Sequence, residues 1–153
     1  MSDKPNLPPG QDEVTEFPLF LITYAVANVS LILYGALALL MPNILLKPFS
    51  EHVYQFPEGA LRATIYLAAL FRLIGFFNLV LGTLGLLILR RFRTSGQKWY
   101  LKIVIASTIL AYVGPIVFDN TVGNIGFFEI VEHILFVLMV IFGSIMLRDR
   151  GTN

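Results

Sequence analysis

Residues 61–89 read LRATIYLAALFRLIGFFNLVLGTLGLLIL, a run of 29 residues whose only charges are Arg62 and Arg72. Wound as an α-helix it is ~43 Å long at 1.5 Å per residue. About 20 apolar residues already cross ~30 Å of hydrocarbon. A helix apolar on every side belongs in lipid or in the core of a large protein. A chain of 153 residues offers no such core, so the stretch reads as a membrane span.

Three further runs of the same kind flank it, at Phe17–Met41, Tyr100–Phe118 and Gly126–Leu147. Their stops are written in the sequence: Pro42 after the first, RRFR (90–93) after the second, DNTVGN (119–124) after the third and RDRGTN (148–153) after the fourth. Backbone groups in lipid must bond within their own segment, and no two-residue alternation suggests barrel strands. The expected fold is all-α, a four-transmembrane-helix bundle. Residues 1–16 form a polar, Pro-containing tail, 17–148 the membrane domain and 149–153 a short carboxyl tail. The amino-terminal stretch lacks the pattern of a cleaved signal.

Composition agrees. The chain is 56% hydrophobic and 14% charged, against about 25% charged in an ordinary soluble domain, and its mean hydropathy is +0.75. Absence of cysteine excludes disulfides, thiolate metal sites and CxxC redox chemistry. A net charge of +1, with no basic surface apart from membrane-flanking positions, excludes nucleic acid as the expected partner. The lipid bilayer is one partner, and other membrane-protein subunits are the second expectation.

Lysines and arginines set the expected direction. With four spans, Lys4, Arg90, Arg91, Arg93, Lys98, Lys102, Arg148 and Arg150 share one side, against Lys47 and Arg62 on the other. The positive-inside rule then puts both termini in the cytoplasm, as in a bacterial inner-membrane protein. Trp99 and Tyr100 beside the basic loop suit an aromatic belt. The loop after the first span, NILLKPFSEHVYQFPEG (43–59), is apolar enough to lie in the interface, with Pro48 and Pro57 interrupting it and His52 solvated.

The fourth run opens with FFEIVEHILF (127–136), where charge inside a span asks for an explanation. At helical spacing Glu129, Glu132, His133 and Phe136 share one face. In the second span Arg72, Gly75, Asn78, Gly82 and Gly85 occupy one broad arc, and small residues there admit a neighbouring backbone. Overhang of the long second span brings Arg72 to the depth of Glu132. The expectation is an Arg72–Glu132 ion pair with His133 alongside, and Arg62 or Asp119 near Glu129. Three uses stay open: a register lock without chemistry; a polar cavity for a proton or a lipophilic quinone, sterol or pigment; and axial ligation of haem or chlorophyll by His133. One histidine cannot make a zinc or di-iron site, so no metal is expected. Asn28, mid-span, is expected to bond between helices, with Asn78 a candidate partner. Tyr24, Tyr34, Tyr66 and Tyr112 read as packing aromatics, and Pro115 as a kink in the third span.

The runs LYGALALLMPNILLKPF (33–49) and LFRLIGFFNLVLGTLGLLILRR (70–91) resemble small bacterial four-helix proteins of the DoxX-like kind. Those show a glycine-bearing first helix ended by a proline, then an arginine–glycine second helix ended by basic residues. The likeness covers about half the chain, Tyr34 to Arg91. It implies a small integral membrane protein, and some members resemble partners of quinone-linked or redox enzymes. No catalytic motif stands in the sequence. The expected function is a non-enzymatic accessory or structural subunit of a larger redox or energy-converting membrane complex. The alternative is a stand-alone protein whose Arg72, Glu132 and His133 line a lipophilic-ligand cavity.

Overall fold

The computed structural model describes residues 18–52, 61–122 and 126–149, and within them the side chains of 18–47, 61–121, 126–127 and 129–148. The amino-terminal tail and the residues flanking the interfacial loop's Pro57 lie outside the described residues. Five helices appear in chain order: α1 (Pro18–Leu40), α2 (Pro42–His52), α3 (Leu61–Ser95), α4 (Lys98–Val122) and α5 (Phe127–Asp149). Four of them, all but α2, are long and apolar enough to cross a membrane. This is the architecture of a multi-pass helical membrane protein.

Local chemistry sets the boundaries. At Met41 the chain breaks, with Met41 N still bonded to the Leu37 carbonyl at 2.8 Å. Pro42 then opens α2, where its missing N–H costs nothing. The helix runs on through Pro48, which the sequence suggested would interrupt it. Gly96 closes α3 with φ 65° and its N–H on the Phe92 carbonyl at 2.8 Å, the left-handed cap that glycine fills without a Cβ penalty. Pro115 is carried inside α4, which continues a turn past Phe118 to Val122. There Asn120 Nδ2 and Thr121 Oγ1 bond the carbonyls of Ile116 and Val117, each at 2.7 Å. These side chains satisfy carbonyls that the end of a helix leaves free.

The helices α1 and α3 form the main seam, running antiparallel with glycine as the contact residue. A Cβ added to Gly35 would fall 2.7 Å from the Gly75 carbonyl, and one added to Gly75 would fall 2.7 Å from that of Gly35. Two turns along, a Cβ on Gly82 would meet the Asn28 carbonyl at 2.6 Å. This register buries Gly75, Asn78, Gly82, Gly85, Leu89 and Phe92 in a heptad-like stripe of α3. Small residues give such contacts their strength in lipid, where apolar burial alone does not favour association. Around the seam α4 packs on α3, and α5 packs on α4 and α1, leaving α3 and α5 on a diagonal. Phe20, Tyr24, Phe92, Leu101, Val104 and Met146 fill the core toward the end that carries Arg90, Arg91 and Arg93, called here the basic end. Phe20 stacks 4.5 Å from Tyr24 and meets Phe92 edge-on at 6.1 Å.

Candidate functional site

Polar side chains gather in two places. Midway through the bundle, Asn28, Tyr24, Thr108 and Tyr112 are all buried. Asn28 Nδ2 donates to the Tyr24 carbonyl one turn back at 2.7 Å and to Thr108 Oγ1 on α4 at 3.2 Å. Its Oδ1 is buried without a hydrogen-bond partner and lies against Gly85. Tyr24 donates its hydroxyl to the Met139 carbonyl of α5 at 2.9 Å, and Tyr112 donates to the Ala27 carbonyl of α1 at 2.8 Å. The bonds to Thr108, Met139 and Ala27 cross between helices, and all are buried. Interhelical bonds of this kind are worth about 0.6 kcal/mol on average and up to about 1.7 kcal/mol. Asn28 thus bonds across helices as its sequence position suggested, to Thr108 on α4. Asn78 is buried on the glycine stripe of α3.

The second cluster, at the end away from the arginines, answers the puzzle of FFEIVEHILF. Glu129 Oε2 accepts the Gly126 N–H at 2.9 Å, and Ile130 N bonds the Gly126 carbonyl at 3.1 Å. Gly126 is therefore the N-cap, and Glu129 reaches back to it as in a capping box, with its charge at the positive end of the helix dipole. His133 joins α5 to α4. Its Nδ1 lies 2.6 Å from the Glu129 carbonyl and its Nε2 lies 2.8 Å from Asn120 Nδ2. Because a carbonyl only accepts, the network assigns the proton to Nδ1, and Nε2 accepts from the Asn120 amide. The lone pair that would ligate a haem or chlorophyll is engaged in that bond.

Glu132 is half-buried on α5 and lies within electrostatic range of His133, Asp119, Glu129, Tyr34 and Tyr112. Among the described residues nothing hydrogen-bonds its carboxylate, and no group of three His, Asp or Glu side chains converges closely enough to hold a metal ion.

The expected Arg72–Glu132 ion pair is not seen among the described residues, and Arg72 is exposed on α3. The packing order of the helices sets the two residues apart. Arg72 stands three residues from Gly75, which abuts Ala38 and Leu39 near the end of α1. It is about 60° round the helix from Gly75 and about 110° from the centre of the buried stripe, at 100° per residue. That stripe faces α1, while Glu132 belongs to the diagonal helix α5. Sequence reading also missed Thr108 and Asn120, which complete the two clusters. Their signal was a hydrogen-bonding side chain within or at the end of an apolar run, Ser107–Thr108 and Asp119–Asn120–Thr121, which names a bond without naming its partner.

Fold and clusters together define a multi-pass helical membrane protein whose interior polar groups tie helix to helix. Comparison with family models, with curated proteins and with solved structures finds no match to this chain.

Proposed function

We propose that this chain is a non-enzymatic accessory subunit of a larger membrane complex, of the redox or energy-converting kind. One face of α3 carries the reading. Ile65, Ala69, Arg72, Phe76, Thr83 and Leu87 are all exposed and fall on one stripe at three- and four-residue spacing. Lipid asks nothing polar of such a face, yet Arg72 and Thr83 stand on it three turns apart. The same helix runs on past the end of α1 with Leu61, Ile65 and Tyr66 60–70% exposed. At 35 residues, or ~52 Å, it is far longer than a ~30 Å hydrocarbon layer. A transmembrane helix of another subunit, bearing a carboxylate for Arg72 and an acceptor for Thr83, would cover both.

In the same proposal both termini face the cytoplasm of a bacterial inner membrane, because the basic end then obeys the positive-inside rule. Kinship of the Tyr34–Arg91 stretch with DoxX-like proteins belongs to it as well. A second reading rests on Glu132, whose half-buried, unbonded carboxylate within a membrane helix suits a cavity for a quinone, sterol or pigment. Extraction in a gentle detergent followed by native mass measurement separates the two. A stoichiometric assembly with other membrane proteins supports the subunit reading. A monomer carrying quinone, sterol or pigment supports the second.

A further inference from the structure

A groove of about 210 Å³ opens on the α1–α3 seam at the basic end, lined by Leu21, Ala25, Leu86, Leu89, Arg90 and Arg93. Its floor and walls are aliphatic, and its rim carries two guanidinium groups. Spacing explains the arrangement: Leu86, Leu89, Arg90 and Arg93 fall on one side of α3, three or four residues apart. Leu86 and Leu89 belong to the apolar part of the helix, Leu89 buried against α1 and Leu86 partly exposed at its edge, while Arg90 and Arg93 belong to the basic run that ends it. Among the described residues neither arginine has an ion-pair partner. The small side chain of Ala25 leaves the room on the α1 side.

We propose that this groove seats an anionic phospholipid, one acyl chain lying over Leu21, Ala25, Leu86 and Leu89 and the phosphate held between Arg90 and Arg93. The volume is below the 300–1,000 Å³ usual for an enclosed small-molecule site, and an open groove of this size takes a length of a single chain rather than a ring system. Guanidinium groups match phosphate oxygens in pairs of parallel hydrogen bonds. Basic pockets between membrane helices are where anionic headgroups collect. The inference does not involve Arg72 or Thr83, so it stands or falls separately from the subunit reading.

The test uses the full chain in detergent, titrated with phosphatidylglycerol or phosphatidylethanolamine of matched acyl chains and read by native mass spectrometry. One phosphatidylglycerol is expected to bind with a preference of about tenfold or more over phosphatidylethanolamine. The double substitution Arg90→Gln, Arg93→Gln weakens phosphatidylglycerol by about 30-fold, each arginine near the surface counting for about fivefold. Arg91→Gln, which removes one charge outside the groove, leaves binding within about twofold, short of the roughly fivefold that an arginine in the groove contributes. Ala25→Phe keeps both arginines, fills the floor and weakens the lipid too, which keeps the test decisive should the double variant fail to fold. Equal retention of the two lipids, equal loss on Arg91→Gln, or unchanged binding in Ala25→Phe each overturns the proposal. Displacement by millimolar inorganic phosphate does so as well, since the site would then take phosphate without a lipid.

Discussion

The Tyr24 hydroxyl lies directly over Gly143 and donates to the Met139 carbonyl one turn away: a Cβ built on Gly143 would sit 2.5 Å from that oxygen. Glycine at 143 and tyrosine at 24 therefore depend on each other. Gly143→Ala should destabilise the protein by about 1–3 kcal/mol, the usual penalty for overpacking. Tyr24→Phe alone should cost about 0.5–1.5 kcal/mol, the net worth of one hydrogen bond. In the double variant the alanine methyl no longer meets an oxygen, so the losses should fall short of additive by about 0.5 kcal/mol or more. Unfolding in mixed detergent measures all three, and strict additivity would mean that the contact does not hold α1 to α5.

The Gly35–Gly75 crossing makes a sharper demand. Each position looks onto backbone atoms of the other helix, which cannot swing aside as a side chain can. Gly35→Val or Gly75→Val should separate α1 from α3 and lower thermal stability by about 2 kcal/mol or more. Gly114→Ala serves as the contrast, because nothing lies within 4 Å of a Cβ there. That change should be neutral or stabilising by up to about 1 kcal/mol, since alanine is the better helix former. Equal damage at 75 and 114 would contradict the antiparallel register.

Arg72 and Glu132 should behave as strangers. They sit on helices that face each other only across a diagonal and share no bonded partner. Losses on Arg72→Leu and Glu132→Leu should add within about 0.3–0.5 kcal/mol. Rescue in the double variant would instead indicate the buried ion pair that the sequence suggested, since breaking one member of such a pair strands the other.

This failed pairing shows where sequence reading reaches its limit. The four spans were legible because hydropathy is a local property, and Pro42 and the arginines of 90–93 mark two of their ends. The glycine arc of α3 was legible as a contact face, because Gly75, Asn78, Gly82 and Gly85 recur at helical spacing. What periodicity does not carry is the order of helices around the bundle. It paired Arg72 with Glu132 of α5, whereas the glycine stripe of the same helix is presented to α1. Glu129 stood out because a carboxylate in an apolar run is costly, and the structure shows it capping α5 through Gly126. The bond from His133 to Asn120 spans the turn between two helices, and no spacing rule announces it.

Sidedness is testable on a chain that has no cysteine of its own. Single cysteines at Ser95, in the basic turn, and at Asn43, exposed at the start of α2, should label from opposite sides of the membrane, with Ser95 reached only from the cytoplasm. Labelling of both from one side would contradict a membrane crossing by α3, the one span between them.

The proposal that α3 presents a face to another subunit is tested most directly by a photoreactive amino acid placed at Phe76. That position is 53% exposed and one turn from Arg72. The control is Leu110, which is 71% exposed on α4 and has no polar residue singled out beside it. After irradiation of intact membranes, the subunit account predicts one discrete protein adduct from position 76, lost on Arg72→Leu, and only lipid adducts from position 110. Lipid adducts alone from both positions would contradict it.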